Sequence, residues 1–165
     1  MGAVPHQLSA PSGVDPAEVE AFQTGARDLV GVALRSLEAL DGEVTLPQFR
    51  LLLTMNELGR APSSQVAQAL GLGASSVTRL ADRLLASGHL LRGTDPAHRS
   101  VVTLELSGRG RELVARVLAS RQQELERILG RLAPEQRAAA AAGLRALHRV
   151  VGDVYTRGPL GPVPL

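Results

Sequence analysis

Residues 75–84, SSVTRLADRL, set groups able to hold an anion at regular spacing. Val77, Leu80, Ala81 and Leu84 recur at i, i+3, i+4, i+7, the stripe that an amphipathic helix buries. The opposite face carries Ser75, Ser76, Thr78, Arg79 and Arg83, with only Asp82 to balance the two guanidinium groups. Hydroxyls and arginines so placed offer hydrogen bonds to an oxygen-rich, negatively charged surface. The same face on an isolated helix would simply be solvated, so its meaning depends on the elements around it.

No comparable constellation exists for catalysis or metal binding. His6, His89, His98 and His148 are scattered, no acid stands at metal-ligand spacing from them, and neither a glycine-rich phosphate loop nor a nucleophile motif occurs. The chain is not expected to be an enzyme, and neither a metal nor a cofactor is expected. With no cysteine, disulfides, thiolate metal sites and thiol redox switching are excluded. The aromatics are Phe22, Phe49 and Tyr155 alone, too few to build the stacking platforms that bind single-stranded nucleic acid. Any nucleic-acid partner would therefore be a duplex.

All 18 basic residues are arginine, against 16 acids. Their distribution is uneven: residues 14–45 hold seven acids and two arginines, whereas 61–111 hold six arginines and three acids. A basic middle after an acidic start points to a polyanion as partner of the middle. No apolar run approaches the roughly 20 residues of a membrane span, and the first 13 residues lack the build of a signal peptide. A cytoplasmic location without membrane contact is expected.

The surrounding elements follow from caps and periodicity. Asp15-Pro16 with Glu18 starts a long helix whose apolar series, from Val19 through Leu40, ends at Asp41-Gly42. Thr45 and Gln48 have capping-box spacing and open a second helix with Phe49, Leu52, Leu53 and Leu58 inward, stopped by Gly59. Residues 63–70 make a short third helix, and a Gly71-Leu72-Gly73 turn leads into a fourth over 74–87, closed by Gly88. The period then changes to alternation. Leu90-Leu91-Arg92, a turn cluster and 100–107 predict a β-hairpin, with Val102, Leu104 and Leu106 on one face and Val101, Thr103 and Glu105 on the other. Ser107 caps a helix with Leu113, Val117, Leu125, Ile128 and Leu132 inward, and Pro134 starts a last, alanine-rich helix. The ends, 1–13 and 156–165, read as flexible tails.

Two short helices joined by a glycine turn and followed by a hairpin make a winged helix-turn-helix. Val66, Leu70, Leu72, Val77 and Leu80 supply its apolar contacts, Ala67 is small where the helices cross, and Gly71 sits where φ must be positive. A plain helical hairpin would require neither that glycine nor the hairpin after it.

Over residues 15–154 the chain resembles the MarR family of bacterial transcriptional regulators, through LPQFRLLL (46–53), VAQALGLGASSVTRLADRLLASGHL (66–90) and DPAHRSVVTLELSGRGR (95–111). The resemblance implies a mainly α fold with a small β-hairpin wing. Its parts would be an N-terminal dimerisation helix (14–44), a winged helix-turn-helix (45–107) and C-terminal dimerisation helices (108–155). A homodimer would place two recognition helices on one face and read a pseudo-palindromic operator in double-stranded DNA. Ser75, Ser76, Thr78, Arg79 and Arg83 would then be the recognition-helix contacts, the hydroxyls toward phosphate and Arg79 toward a base edge. Pairing with Asp82 is the plainer role for Arg83. Arg92 would meet phosphate and Arg99 the minor groove, with Asp95 bracing the wing and His98 and Ser100 beside them. The chain departs from the family where His98 replaces a usual acid, Ser100 a second arginine, and Gly73 the Ser or Asp that usually caps the recognition helix.

Many relatives bind a small, often phenolic or anionic, effector between the dimerisation helices and the DNA-binding lobe. Arg27, Arg50 and His148 are the polar candidates here, each equally readable as a surface residue. Repressor action relieved by such a ligand is the expected function. The rival reading is a winged-helix module that contacts an acidic protein without specific DNA binding.

Overall fold

A computed structural model describes residues 13–94 and 101–155. The expectations placed on Asp95, His98, Arg99 and Ser100, and on the two tails apart from Gly13, lie outside the described residues.

Helix α1, Pro16–Ser36, starts as the capping pattern requires. The Asp15 carboxylate accepts from the Ala17 amide at 2.9 Å, and Glu18 reaches back to the Asp15 amide at 3.2 Å. The helix does not run unbroken to residue 40 as expected. Its end tightens into a 3-10 turn, Leu37–Leu40, before Asp41 turns left-handed at φ 47°. Helix α2, Leu46–Leu58, opens with Gln48 accepting from the Thr45 amide at 2.7 Å and ends at Gly59, φ 69°. Periodicity picked out one inward face of α2, yet Leu51 and Met55 are as buried as Phe49 and Leu52. The reason is position: α2 is packed by α3 (Ser63–Leu70), α4 (Ala74–Ala86) and the start of α5 (Gly108–Leu129) at once.

The α3–α4 turn is the expected one. Gly71 takes φ 64°, Ala67 is buried at the crossing, and Val77, Ala81 and Leu84 seat α4 on the core while Leu80 is half-buried. Leu72 does not join them. It is exposed, because the turn's backbone bond from the Leu72 amide to the Ala67 carbonyl carries its side chain outward.

The sheet is larger than the predicted hairpin. β2 (Leu90–Thr94) pairs antiparallel with β3 (Val102–Leu106), from Leu90 opposite Leu106 to Thr94 opposite Val102, and β3 also pairs with a short β1, Ala61–Pro62. The order is β1-β3-β2. Proline suits that edge position because it has no amide to give the ladder. Strict alternation fails along β3: Leu104 and Leu106 are buried as expected, but Val102 at the outer end of the ladder is exposed and Thr103 is buried beside Gly93.

Ser107 caps α5 and locks it to α4. Its hydroxyl accepts from the Gly110 amide at 3.0 Å and donates to the Gly88 carbonyl at 2.7 Å. Leu113, Val114 and Val117 then enter the core, whereas farther along Leu125 and Ile128 are half-buried and Leu132 is exposed. Helix α6, Pro134–Tyr155, is started by Gln136 accepting from the Ala133 amide at 3.0 Å. The inward series expected of α1 and α6 is mostly uncovered within one chain: Phe22 is 58% exposed and Val150 62%.

The α4–α5 approach leaves no space at Gly110. A Cβ there would stand 2.2 Å from the His89 carbonyl oxygen, a backbone atom that cannot swing aside. Gly110→Ala should cost about 1–3 kcal/mol in urea unfolding; wild-type stability for that variant would mean that α5 does not seat this closely.

Candidate nucleic-acid interface

Helix α4 presents the face read from sequence. Ser75, Thr78, Arg79 and Arg83 are exposed and Ser76 is half-buried. Gly73 precedes the helix and no side chain caps its first turn. Leading amides without a side-chain acceptor at a helix N-terminus are a ready site for an anion. The Thr78 hydroxyl is committed differently from the sequence expectation, since it donates to the Ala74 carbonyl at 3.0 Å and leaves its oxygen as an acceptor. Ser75 and Ser76 are better placed than Thr78 to donate to phosphate.

The charges sort themselves through one contact. Arg92 of β2 donates to Asp82 of α4 at 2.9 Å, so the acid that could have paired with Arg83 is taken by the wing strand. Arg79 and Arg83 have no carboxylate partner among the described residues. Both partners of the Arg92–Asp82 pair are about half exposed, and such pairs add little stability. Its importance is geometric, because it joins the flank of α4 to the strand leading into the wing.

A second pair ties β3 to the residue just before β1. Arg60 grips Glu105 of β3 through two bonds, Nη2 to Oε1 at 2.8 Å and Nε to Oε2 at 3.2 Å. The arginine holds the Glu105 carboxyl below its usual range, chiefly through the hydrogen bonds, and Glu105 in turn raises the guanidinium. Neither residue was singled out in the sequence; they lie 45 positions apart, and no local pattern links them.

The end of α4 carries a third cluster that sequence reasoning missed. Glu43, in the loop before α2, accepts from Arg109 at 3.0 Å and from Arg116, both on α5. Arg109 also donates to the Ser87 carbonyl at 3.2 Å, next to the buried ring of His89.

The candidates for an effector pocket are not brought together. Arg27 and His148 are exposed on α1 and α6, and Arg50 is half-buried on α2 with its Nε unpartnered. A cleft of about 620 Å³ between α1 and α6 is apolar, lined by Phe22, Leu29, Leu144 and Leu147 among others and by none of those three. Among the described residues no group of three or more His, Asp or Glu side chains could hold a metal, and no helix is long and apolar enough to cross a membrane.

A family model described as the MarR family matches residues 43–99. Over 109 residues the chain is 28% identical to the uncharacterized HTH-type transcriptional regulator YfiV of Bacillus subtilis (strain 168), a match spanning 66% of this chain and 68% of that protein. The crystal structure of RV1404 from Mycobacterium tuberculosis is similar with a TM-score of 0.77 at 29% identity, covering 85% of this chain and 97% of that one. FabT of Streptococcus pneumoniae, solved in complex with DNA, has a TM-score of 0.65 over 85% of this chain and 99% of that one. At 21% identity that last likeness is one of fold.

Asp82→Asn removes a negative charge from the α4 face and releases Arg92. The variant should bind non-specific duplex more tightly, with log K against log salt steeper by about 0.9, the increment for one added phosphate contact. An unchanged salt slope would show that Arg92 is no reserve cation.

Proposed function

We propose that this chain is a transcription regulator of the MarR family, whose model matches residues 43–99, and that it acts in the cytoplasm as a homodimeric repressor of sequence-specific, double-stranded DNA binding. The observation that carries the reading is the exposed face of α4, whose first turn has no side-chain cap and whose Arg79 and, in the last turn, Arg83 have no carboxylate partner among the described residues. A surface whose cations are already paired would have little to offer phosphate. The FabT structure, a chain of similar fold solved in complex with DNA, supports DNA as the partner.

In this reading residues 45–107 are the DNA-binding domain, and 14–44 and 108–155 are dimerisation helices. The exposed apolar residues of α1 and α6, Phe22, Leu34, Leu144 and Val150 among them, are then what the second subunit covers. Exposed apolar surface of this extent on a helical lobe marks an interaction face. Two-fold symmetry repeats α4 at the spacing of successive major grooves and calls for a pseudo-palindromic operator. Ser75 and Ser76 meet phosphate, Arg79 reaches a base edge and Arg83 follows the backbone. Arg99 enters the minor groove, with His98 and Ser100 at its sides and Asp95 bracing the loop. A small-molecule effector would act by favouring one spacing of the two α4 helices over another, which requires different affinity for the two states.

Selection of duplexes from random sequence tests these features together and should return an inverted repeat with half-sites about one DNA turn apart. Arg79→Ala should then lose about 1–3 kcal/mol on that duplex and relax preference at one position per half-site. A variant as discriminating as wild type would remove Arg79 from the base-reading role, and enrichment of no sequence at all would favour the protein-contact module. Sedimentation should give a dimer at micromolar concentration; a monomer there would contradict the proposed architecture.

A further inference from the structure

Residues 87–89 carry the chain from α4 into β2, and of the three His89 is fully buried. Its backbone is held twice. The amide donates to the Leu84 carbonyl at 2.8 Å, and the carbonyl accepts from the Ser107 amide at 3.1 Å. The ring is satisfied on one side only. The Ser87 hydroxyl lies 3.3 Å from the Leu84 carbonyl, to which it donates, and 2.8 Å from Nδ1; in the tautomer that keeps the bond to Leu84, Nδ1–H is the donor in that pair and Nε2 is the basic nitrogen. Nε2 has no hydrogen-bond partner among the described residues; the nearest acid oxygen, Glu43 Oε2, is 3.7 Å away, beyond hydrogen-bond reach.

That oxygen already has an owner. Arg109 donates to Glu43 Oε2 through Nη2 and to the Ser87 carbonyl through Nη1, tying the α1–α2 loop and α5 to the end of α4. A cation is favoured there because the last carbonyls of α4 carry the negative end of the helix dipole.

We propose that His89 is an acid-sensitive latch on α4: a proton taken up at Nε2 makes the ring a rival of Arg109 for Glu43 Oε2, and loss of the arginine loosens the seam between α4 and α5. The charged groups facing the ring are Glu43 from the loop and Arg109 and Arg116 from α5. Burial disfavours the imidazolium most, the Arg109 charge adds to that, and Glu43 compensates only in part, so the closed seam holds His89 below the ordinary histidine range. Glu43 keeps its charge, because hydrogen bonds from Arg109 and Arg116 hold it below the usual carboxylate range. A loosened seam wets the ring and returns it to an ordinary value of about 6.5. The closed seam is therefore fully favoured above that pH and weakens as pH falls from there toward the lower value of the closed state. The consequence for DNA rests on the reading of α4 as the recognition helix, whereas the latch itself does not.

The test follows the intact protein from pH 8 to pH 5 by imidazole NMR and amide hydrogen exchange. Protection at the His89 and Ser107 amides should fall severalfold, with the midpoint of the His89 ring. His89→Gln should hold its protection constant. Affinity for the selected duplex should fall in step in wild type but not in His89→Gln, opposite in sign to the gain that a protonated His98 would bring. Protection that persists through the ring's titration overturns the latch, as does a His89→Gln profile matching wild type. Affinity that stays flat while the seam opens overturns the coupling to DNA. Failure to bind any duplex at any pH sinks the DNA reading instead, and the exchange result then decides the latch alone.

Discussion

The close approach of α5 to the end of α4 is the constraint on which the rest of this fold depends. Gly110 packs so tightly against the His89 carbonyl that even a methyl group would overlap it, and Ser107 bridges the two helices by accepting from Gly110 and donating to Gly88. Each such bond adds only about 1 kcal/mol net. Together with the burial of Leu113, Val114 and Val117 they remove the freedom to rotate one helix against the other. Because α5 also lies along α1, the direction in which α4 points is inherited from the long helices rather than from the helix-turn-helix alone.

Electrostatics divides the arginines into those that hold the structure in register and those left for a partner. Arg60 joins the start of the sheet to β3, Arg92 joins β2 to α4, and Arg109 and Arg116 converge on Glu43. Exposed ion pairs contribute little to stability, so their effect is to orient strands and helices. Arg79 and Arg83 have no carboxylate partner among the described residues and stand outside the arrangement. An unspent cation on a helix held this firmly reaches its target without first being ordered, which is the condition for a directional contact.

The long helices are a different case. A single chain builds one well-filled core around α2 and leaves the outer faces of α1 and α6 apolar and open, with a cleft between them. The alanines of α6 permit close helix approach, and Ala138, Ala139, Ala140 and Ala142 are exposed. The core around α2 is filled within one copy, whereas the long-helix lobe leaves apolar faces exposed.

Caps and glycines were legible in sequence because their physics is local: Asp15 with Glu18, Thr45 with Gln48, Ser107, and Gly71 at positive φ each act within a few residues. The arginine-bearing side of α4 was legible for the same reason, since helical periodicity alone puts Arg79 and Arg83 opposite Val77, Ala81 and Leu84. The two-residue β1, the Arg60–Glu105 pair and the burial of Thr103 were not, being too short or too distant in the chain to leave a pattern. Asp82 shows the boundary best. Its place beside Arg83 offered a partner one residue away, but neighbours i and i+1 on a helix diverge by about 100°, and it was the fold that brought Arg92 within 2.9 Å from another element. Sequence by itself determined where the helices begin and which face of α4 is apolar. Tertiary structure alone decided which charges are spent, because pairing depends on distances through space that no spacing along the chain records.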